Sequence, residues 1–243
     1  MYLHIYIQYI HTYIHTYIPG VDRTFQDPTN EYTVHLLTRG HLQYSSIKEQ
    51  FTSSWLNSNN GEPRLERIYW ICLSQEVHRR YDRTEKAIGN VKRRFHGTSQ
   101  SPTCMFGTDP SVPPCHGQDC NVCSICRQSF RLNKTSSGGG TRMHLRYDEG
   151  LYFSPVSSKS HDYNGGSERA YKGDGRKWRA MFLCNVVVGK PFVTRDGSLP
   201  SQDCPPRGFD SVVGEAGLDL NYPEVVVYQE AQAIPTYLII YSV

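Results

Sequence analysis

The sequence predicts an α+β fold, and three observations carry that expectation. Two amphipathic helical patterns come early in the chain, short strand-like runs dominate after Phe95, and those strands do not alternate with helices. Helices grouped ahead of strands argue against repeated βαβ units. An α+β domain is the arrangement that remains.

The elements follow in order. Residues 9–18 repeat Tyr-Ile-His-Thr with a period of four, which a tandem ATAC tetranucleotide would encode, so residues 1–18 are set aside from fold reasoning. Their His4, Gln8, His11, Thr12, His15 and Thr16 are too polar for a membrane span, and no basic n-region or small-residue cleavage site marks a signal peptide. Residues 20–40 hold turn formers with little periodicity and read as a linker, so that residues 1–39 form a low-complexity N-terminus and linker. A helix is predicted from Ser46, where Ser46 and Glu49 match a capping box and Ile47, Phe51 and Trp55 share a face. Residues 57–63 read as a loop, and Ile68, Trp70 and Cys72 alternate as in a half-buried strand. Ser74 opens a second helix with an apolar stripe of Val77, Tyr81, Ile88 and Val91, closing near Arg93 and Arg94. Beyond it, residues 99–114 read as loop and residues 136–140 as a Ser/Gly-rich hinge. Strands are predicted at residues 150–153, 180–188, 224–228 and 237–241, the last two joined across residues 231–235.

With 243 residues, 38% hydrophobic and 20% charged, the composition is that of a globular protein and not of a disordered tail. A net charge of +3 suits an anionic small ligand but falls short of a nucleic-acid footprint. Among eight cysteines, Cys115, Cys120, Cys123 and Cys126 crowd one segment with Cys104 just upstream. Such spacing suits a metal site better than a disulfide framework, and so a reducing intracellular compartment, nuclear or cytoplasmic. Cys104, Cys115, Cys120 and Cys123 would give a four-thiolate site with no position open for water, a structural arrangement, with Cys126 and His116 as substitutes. Thiolate-rich ligation favours Zn2+ or an iron–sulfur cluster.

Four separated motifs then stand in order: Phe95-His96-Gly97-Thr98, Gly150-Leu151-Tyr152-Phe153, Ser157-Ser158-Lys159-Ser160 followed by Tyr163, and Asn221-Tyr222-Pro223-Glu224-Val225-Val226-Val227-Tyr228. Together they resemble the catalytic domain of poly(ADP-ribose) polymerases over roughly residues 40–243. The likeness is tightest to fungal members whose barrel is interrupted by a Cys-rich insertion, here residues 104–126. In those relatives the position of Cys126 is a hydrophobe, which favours the other four cysteines as ligands.

The resemblance implies an ADP-ribosyltransferase fold, two packed antiparallel sheets flanked by the early helices, that binds NAD+ between its sheets and transfers ADP-ribose to a macromolecular acceptor, a protein before any nucleic acid. His96, Tyr152 and Glu224 are then the catalytic set. By the same likeness His96, Gly97, Thr98, Tyr152, Ser160 and Tyr163 bind NAD+. Backbone groups of Gly97 and the Ser160 hydroxyl would hold the carboxamide, Tyr163 would stack on the nicotinamide with Tyr152 nearby, and His96 would hydrogen-bond the adenine-side ribose. Each role suits its chemistry: an amide needs a donor and an acceptor, and aromatic faces suit a flat cationic ring. Breaking the nicotinamide–ribose bond builds positive charge at the anomeric carbon, and a carboxylate on the 2′-hydroxyl gains strength as that charge grows.

The chain departs from the family at Tyr147-Asp148-Glu149-Gly150, where Phe-Gly-Lys-Gly is common, and at Phe95, where Trp is common. Two carboxylates near an anionic ligand are the best support for an alternative, a catalytically weak module that binds NAD+ or ADP-ribose. A second alternative makes the Cys-rich segment an interaction module. Lys and Arg are not concentrated around it, which disfavours nucleic acid.

Overall fold

The computed structural model describes residues 19–29, 31–132, 145–164, 169–170, 177–199, 203–217 and 219–243. The Tyr-Ile-His-Thr repeat and the Ser/Gly-rich stretch at 136–140 lie outside these residues. In chain order the elements are β1 (Val21–Gln26), β2 (Tyr32–Leu37), α1 (Tyr44–Ser53), β3 (Arg64–Leu73), α2 (Gln75–Ile88), β4 (Val91–Gly97), α3 (Asn121–Gln128), β5 (Leu151–Phe153), α4 (Ser157–His161), β6 (Arg169–Ala170), β7 (Lys177–Val187), β8 (Pro191–Thr194), β9 (Ser211–Gly214), β10 (Glu224–Val227) and β11 (Ala233–Ser242).

The strands form the two sheets expected. A seven-stranded antiparallel sheet runs β1-β2-β3-β11-β7-β4, with β6 also on β7, and a four-stranded sheet runs β5-β10-β9-β8. Within the smaller sheet the β8–β9 pair is parallel. Both faces of the larger sheet are covered, and the period of two sorts its side chains between them. Met181, Leu183, Ile239 and Tyr241 pack with Ile47 and Phe51 of α1 on one side. Phe182, Cys184, Leu238 and Ile240 face the main core, which they share with α3, β5 and β10. Among the described residues no helix is long and apolar enough to cross a membrane.

Several local expectations are corrected. Residues 20–40 are not a linker: β1 and β2 extend the large sheet, and Tyr32, Val34 and Leu36 enter the main core. β2 reads Tyr-Thr-Val-His-Leu, an apolar/polar alternation that puts Tyr32, Val34 and Leu36 on the core face. In β3 the deeper face is Tyr69, Ile71 and Leu73, opposite Ile68, Trp70 and Cys72. Helix α1 starts at Tyr44 with Gln43 as N-cap and without a side-chain cap, and Trp55 lies past its end. Ser74 does cap α2, accepting a hydrogen bond from the Val77 N–H at 3.5 Å. That helix stops at Gly89, whose φ of 65° only a glycine adopts readily, so Arg93 and Arg94 belong to β4. The two terminal strands sit in different sheets, β10 in the small one and β11 between β3 and β7.

Among the described residues the sheets meet edge to edge at one bridge. Phe95 N–H donates to Ser154 O at 2.8 Å and Ser154 N–H donates to Phe95 O at 2.9 Å, joining β4 to the residue after β5. Immediately downstream, α4 is fixed to the end of α1. Ser157 Oγ donates to Phe51 O at 2.8 Å, and Ser158 Oγ accepts from the Leu56 and Asn57 N–H groups at 3.1 Å each. Ser158→Ala removes that shared acceptor, and the expected loss is about 1–2 kcal/mol in urea unfolding. A loss below about 0.5 kcal/mol would show that the clamp is replaceable by water.

Candidate functional site

Strand alternation assembles the site. Val226 of β10 pairs directly with Tyr152 of β5, and Val225 with Phe153. Glu224 therefore shares a face with Tyr152 and Val226, while Val225, Val227, Leu151 and Phe153 turn into the main core. Glu224 is 4% exposed. Its Oε2 is paired with Lys159 Nζ from α4, and the same ammonium donates to Tyr222 O at 3.1 Å. Its Oε1 is buried with no hydrogen-bond partner among the described residues. A carboxylate with one oxygen pinned and the other bare is an acceptor awaiting a donor.

The α4 segment supplies the facing wall. Tyr163 is 46% exposed, and burial, then Glu224, pushes its hydroxyl pKa up. Ser160 is buried, and its Oγ makes no hydrogen bond among the described residues. Gly97 is required here by close packing: a Cβ there would lie 1.7 Å from Ser160 O. Thr98 N–H donates to Asn164 Oδ1 at 3.1 Å, and Asn164 Nδ2 donates to the Tyr241 hydroxyl at 2.7 Å. Arg179 reaches His161 Nε2 at 3.0 Å, and a guanidinium only donates, so His161 carries its proton on Nδ1 toward the Tyr241 oxygen at 2.9 Å. This buried set ties β4, α4, β7 and β11 together beneath the cleft.

His96 joins from the other side of β5. Its Nδ1 stands 2.8 Å from Tyr152 O, a carbonyl that only accepts, so Nδ1 bears the hydrogen and Nε2 is left with a lone pair. Burial holds its pKa below the ordinary histidine value, against the opposing effect of the Tyr152 carbonyl. The ring packs on Phe153, the face of β5 opposite Tyr152. Glu224 and Tyr152 thus share a strand face, Tyr163 lies near enough to feel the Glu224 charge, Gly97 and Thr98 stand against the α4 segment, and His96 is attached through the Tyr152 carbonyl.

The Tyr152 hydroxyl donates to Asp148 O at 2.8 Å and accepts from Tyr147 N–H at 3.0 Å, so it locks the departing turn. Asp148 has φ 62°, the left-handed region that Gly, Asn and Asp tolerate, so an aspartate at the family's glycine position keeps the turn. Both Asp148 and Glu149 are exposed to solvent. Sequence reasoning missed Lys159. Its signal was present in the Ser-Ser-Lys-Ser motif, but one lysine on a five-residue helix gives no hint that it faces a carboxylate 65 positions away.

The four thiols expected to hold a metal come together. The sulfurs of Cys104, Cys115, Cys120 and Cys123 lie within 4.8 Å of one another, three of the residues buried and Cys115 partly so. Tetrahedral sulfurs about 2.3 Å from a zinc ion lie roughly 3.8 Å apart, so the donor set fits such an ion. Hydrogen bonds from the Cys120 and Cys123 thiols push the Cys104 pKa down. Cys126 stands outside the cluster, its thiol pushed well up by burial, and His116 is not part of it.

Residues 115–243 match the family described as the poly(ADP-ribose) polymerase catalytic domain. The matched span contains Tyr152, Ser160, Tyr163 and Glu224 and begins after His96. The chain is also 26% identical over 212 residues to human protein mono-ADP-ribosyltransferase PARP3, covering 83% of this chain and 33% of that protein. It therefore spans about a third of that relative's length.

Removing one member of the Lys159–Glu224 pair leaves a buried charge unpaired. Lys159→Met should cost about 3–5 kcal/mol in urea unfolding. Lys159→Met combined with Glu224→Gln should recover most of that loss, since neither charge remains. Strictly additive single and double variants would show that the two side chains are not coupled.

Proposed function

Because the chain belongs to the poly(ADP-ribose) polymerase catalytic-domain family, we propose that it transfers ADP-ribose from NAD+ to a protein acceptor and releases nicotinamide. The observation that carries this reading is Glu224, with Oε2 held by Lys159 and Oε1 buried and bare. A ribose 2′-hydroxyl would give Oε1 its missing donor. As the bond from C1′ to the nicotinamide nitrogen breaks, its electron pair leaves with neutral nicotinamide and positive charge builds on the ribose. A carboxylate fixed beside that charge stabilises the transition state more than the ground state. The acceptor's nucleophile then bonds to C1′ and loses its proton to Glu224 or solvent.

The remaining residues orient the dinucleotide. Tyr163 offers an open aromatic face for the nicotinamide ring, and the unbonded Ser160 hydroxyl is free for the carboxamide. His96 Nε2 is an acceptor for an adenine-side ribose hydroxyl, its tautomer set by Tyr152 O. The human relative is named a protein mono-ADP-ribosyltransferase, which supports a protein acceptor. Against the weak-binding alternative, Asp148 preserves the turn it occupies, and both departing carboxylates face water, where screening reduces their repulsion of a phosphate.

We further propose that the four thiolates hold a structural zinc ion. With all four positions filled by protein, such an ion supplies fold stability and not chemistry. Metal analysis should find one zinc per chain, and Cys115→Ser should lose it. Protein purified under reducing conditions with no bound metal would end this assignment.

The activity itself is tested by nicotinamide release from NAD+, run with candidate acceptor proteins present. Glu224→Gln keeps shape and removes charge, and turnover should fall on the order of 100-fold or more while NAD+ affinity changes little. Equal release by wild type and variant would remove Glu224 from the chemistry. NAD+ binding with no release by wild type would favour the binding-module alternative.

A further inference from the structure

The Cys-rich insertion reaches the candidate site through one helix. Helix α3 has Cys120 as its N-cap and carries Cys123, so two of the four clustered thiols sit at its start. The same end is tied to the segment after β4: Val122 N–H donates to Ser99 O at 3.2 Å and Asn121 Nδ2 donates to Ser99 Oγ at 2.9 Å. Buried Gln100 donates to Cys104 Sγ at 3.3 Å and to Phe106 O at 2.8 Å. Ser99 and Gln100 follow His96 by only three and four residues.

The far end of α3 returns to His96 itself. Ser129 closes the helix with φ 63°, turning the chain so that Phe130 enters the core at 3% exposure. The Phe130 ring meets the His96 imidazole edge-on at 5.1 Å and also packs on Phe153 at 5.3 Å and Phe182 at 6.4 Å. Beyond it, Glu230 accepts from Leu132 N–H and from Arg131 NH1, both at 3.1 Å, which anchors the exit. One rigid eight-residue helix, roughly 12 Å long, therefore has the thiol cluster at one end and the wall of the His96 pocket at the other.

Resting on the reading of the site as an NAD+ pocket, we propose that the four-cysteine cluster is a positioning device for that pocket: its closed form sets α3, and α3 presses Phe130 against His96. Phe130 is a positioning residue that acts through the imidazole and touches no reacting atom. Tyr152 O fixes which nitrogen of His96 bears the hydrogen, whereas Phe130 fixes the plane of the ring. Loss of either the cluster or the Phe130 ring frees that plane and weakens the hold on the ribose, leaving Glu224 and Lys159 in place.

The test uses the full protein with labelled histidine rings, the His96 signals being assigned by their loss in His96→Ala. Metal removal by a chelator under reducing conditions, and separately Phe130→Leu, should move the same His96 ring signals. For Phe130→Leu, which keeps the cluster and its metal, KM for NAD+ should rise roughly tenfold with kcat within about twofold. His96 signals that stay in place in Phe130→Leu overturn the proposal, as does unchanged NAD+ affinity where His96→Ala weakens binding. If chelation unfolds the chain, Phe130→Leu decides alone. Coupled His96 shifts in a wild type that binds no NAD+ would uphold the positioning and overturn only the functional reading.

Discussion

The rest of the structure depends on the pair of hydrogen bonds between Phe95 and Ser154. Each lies at the margin of its sheet, β4 being the last strand of the large sheet and β5 the last of the small one. Open strand edges carry unpaired backbone groups, and here one bridge satisfies two edges with each other. It also fixes the relation of neighbouring residues. His96 follows Phe95 and Tyr152 precedes Ser154 by two, so the bridge brings the His96 imidazole to the Tyr152 carbonyl. Ser154 Oγ donates in turn to Pro223 O at 2.8 Å, which sets the residue just before Glu224. Three motifs distant in sequence are thus registered by one contact.

Electrostatics then selects what that frame can do. Burying a carboxylate is costly unless it is paired and hydrogen-bonded. Glu224 meets the requirement only by half, through Lys159, and its second oxygen stays unsatisfied. A purely structural ion pair would be expected to satisfy both oxygens. Tyr163, whose hydroxyl feels the Glu224 charge, keeps part of its surface open to solvent. The opposite side of β5 is closed, with His96 packed among Phe130, Phe153 and Phe182.

How much of this could be read from the chain varied with the physical signal. The Ser74 cap, the apolar runs of β7 and β11 and the four clustered thiols were all legible, because caps, continuous burial and short cysteine spacing are local signatures. In residues 20–40 the alternation of Tyr32, Val34 and Leu36 with Thr33 and His35 was legible, but it stands among turn formers such as Gly20, Pro28 and Gly40, which masked it. The early end of α2 at Gly89 was missed because Val91 continues the apolar stripe, although it does so from a strand. In the site, the motif residues were found by their order, whereas Lys159, Phe130 and Ser158 were passed over. Each of these gains its role from a partner far along the chain, and no spacing rule reports that.

What the sequence by itself determined is the set of chemical groups and their order: a His-Gly-Thr, a Gly-Leu-Tyr-Phe, a Ser-rich turn with Tyr163, a glutamate opening a strand, and a four-thiol insertion. Composition and motif order are properties of the linear chain, so they are fixed before folding. Tertiary structure alone decided that one oxygen of Glu224 is pinned and the other bare, that the His96 tautomer is set by a carbonyl 56 residues away, and that the insertion ends against that same ring. The reason is that strand pairing and packing convert sequence separation into contact, and hydrogen-bond direction and burial exist only after that contact is made.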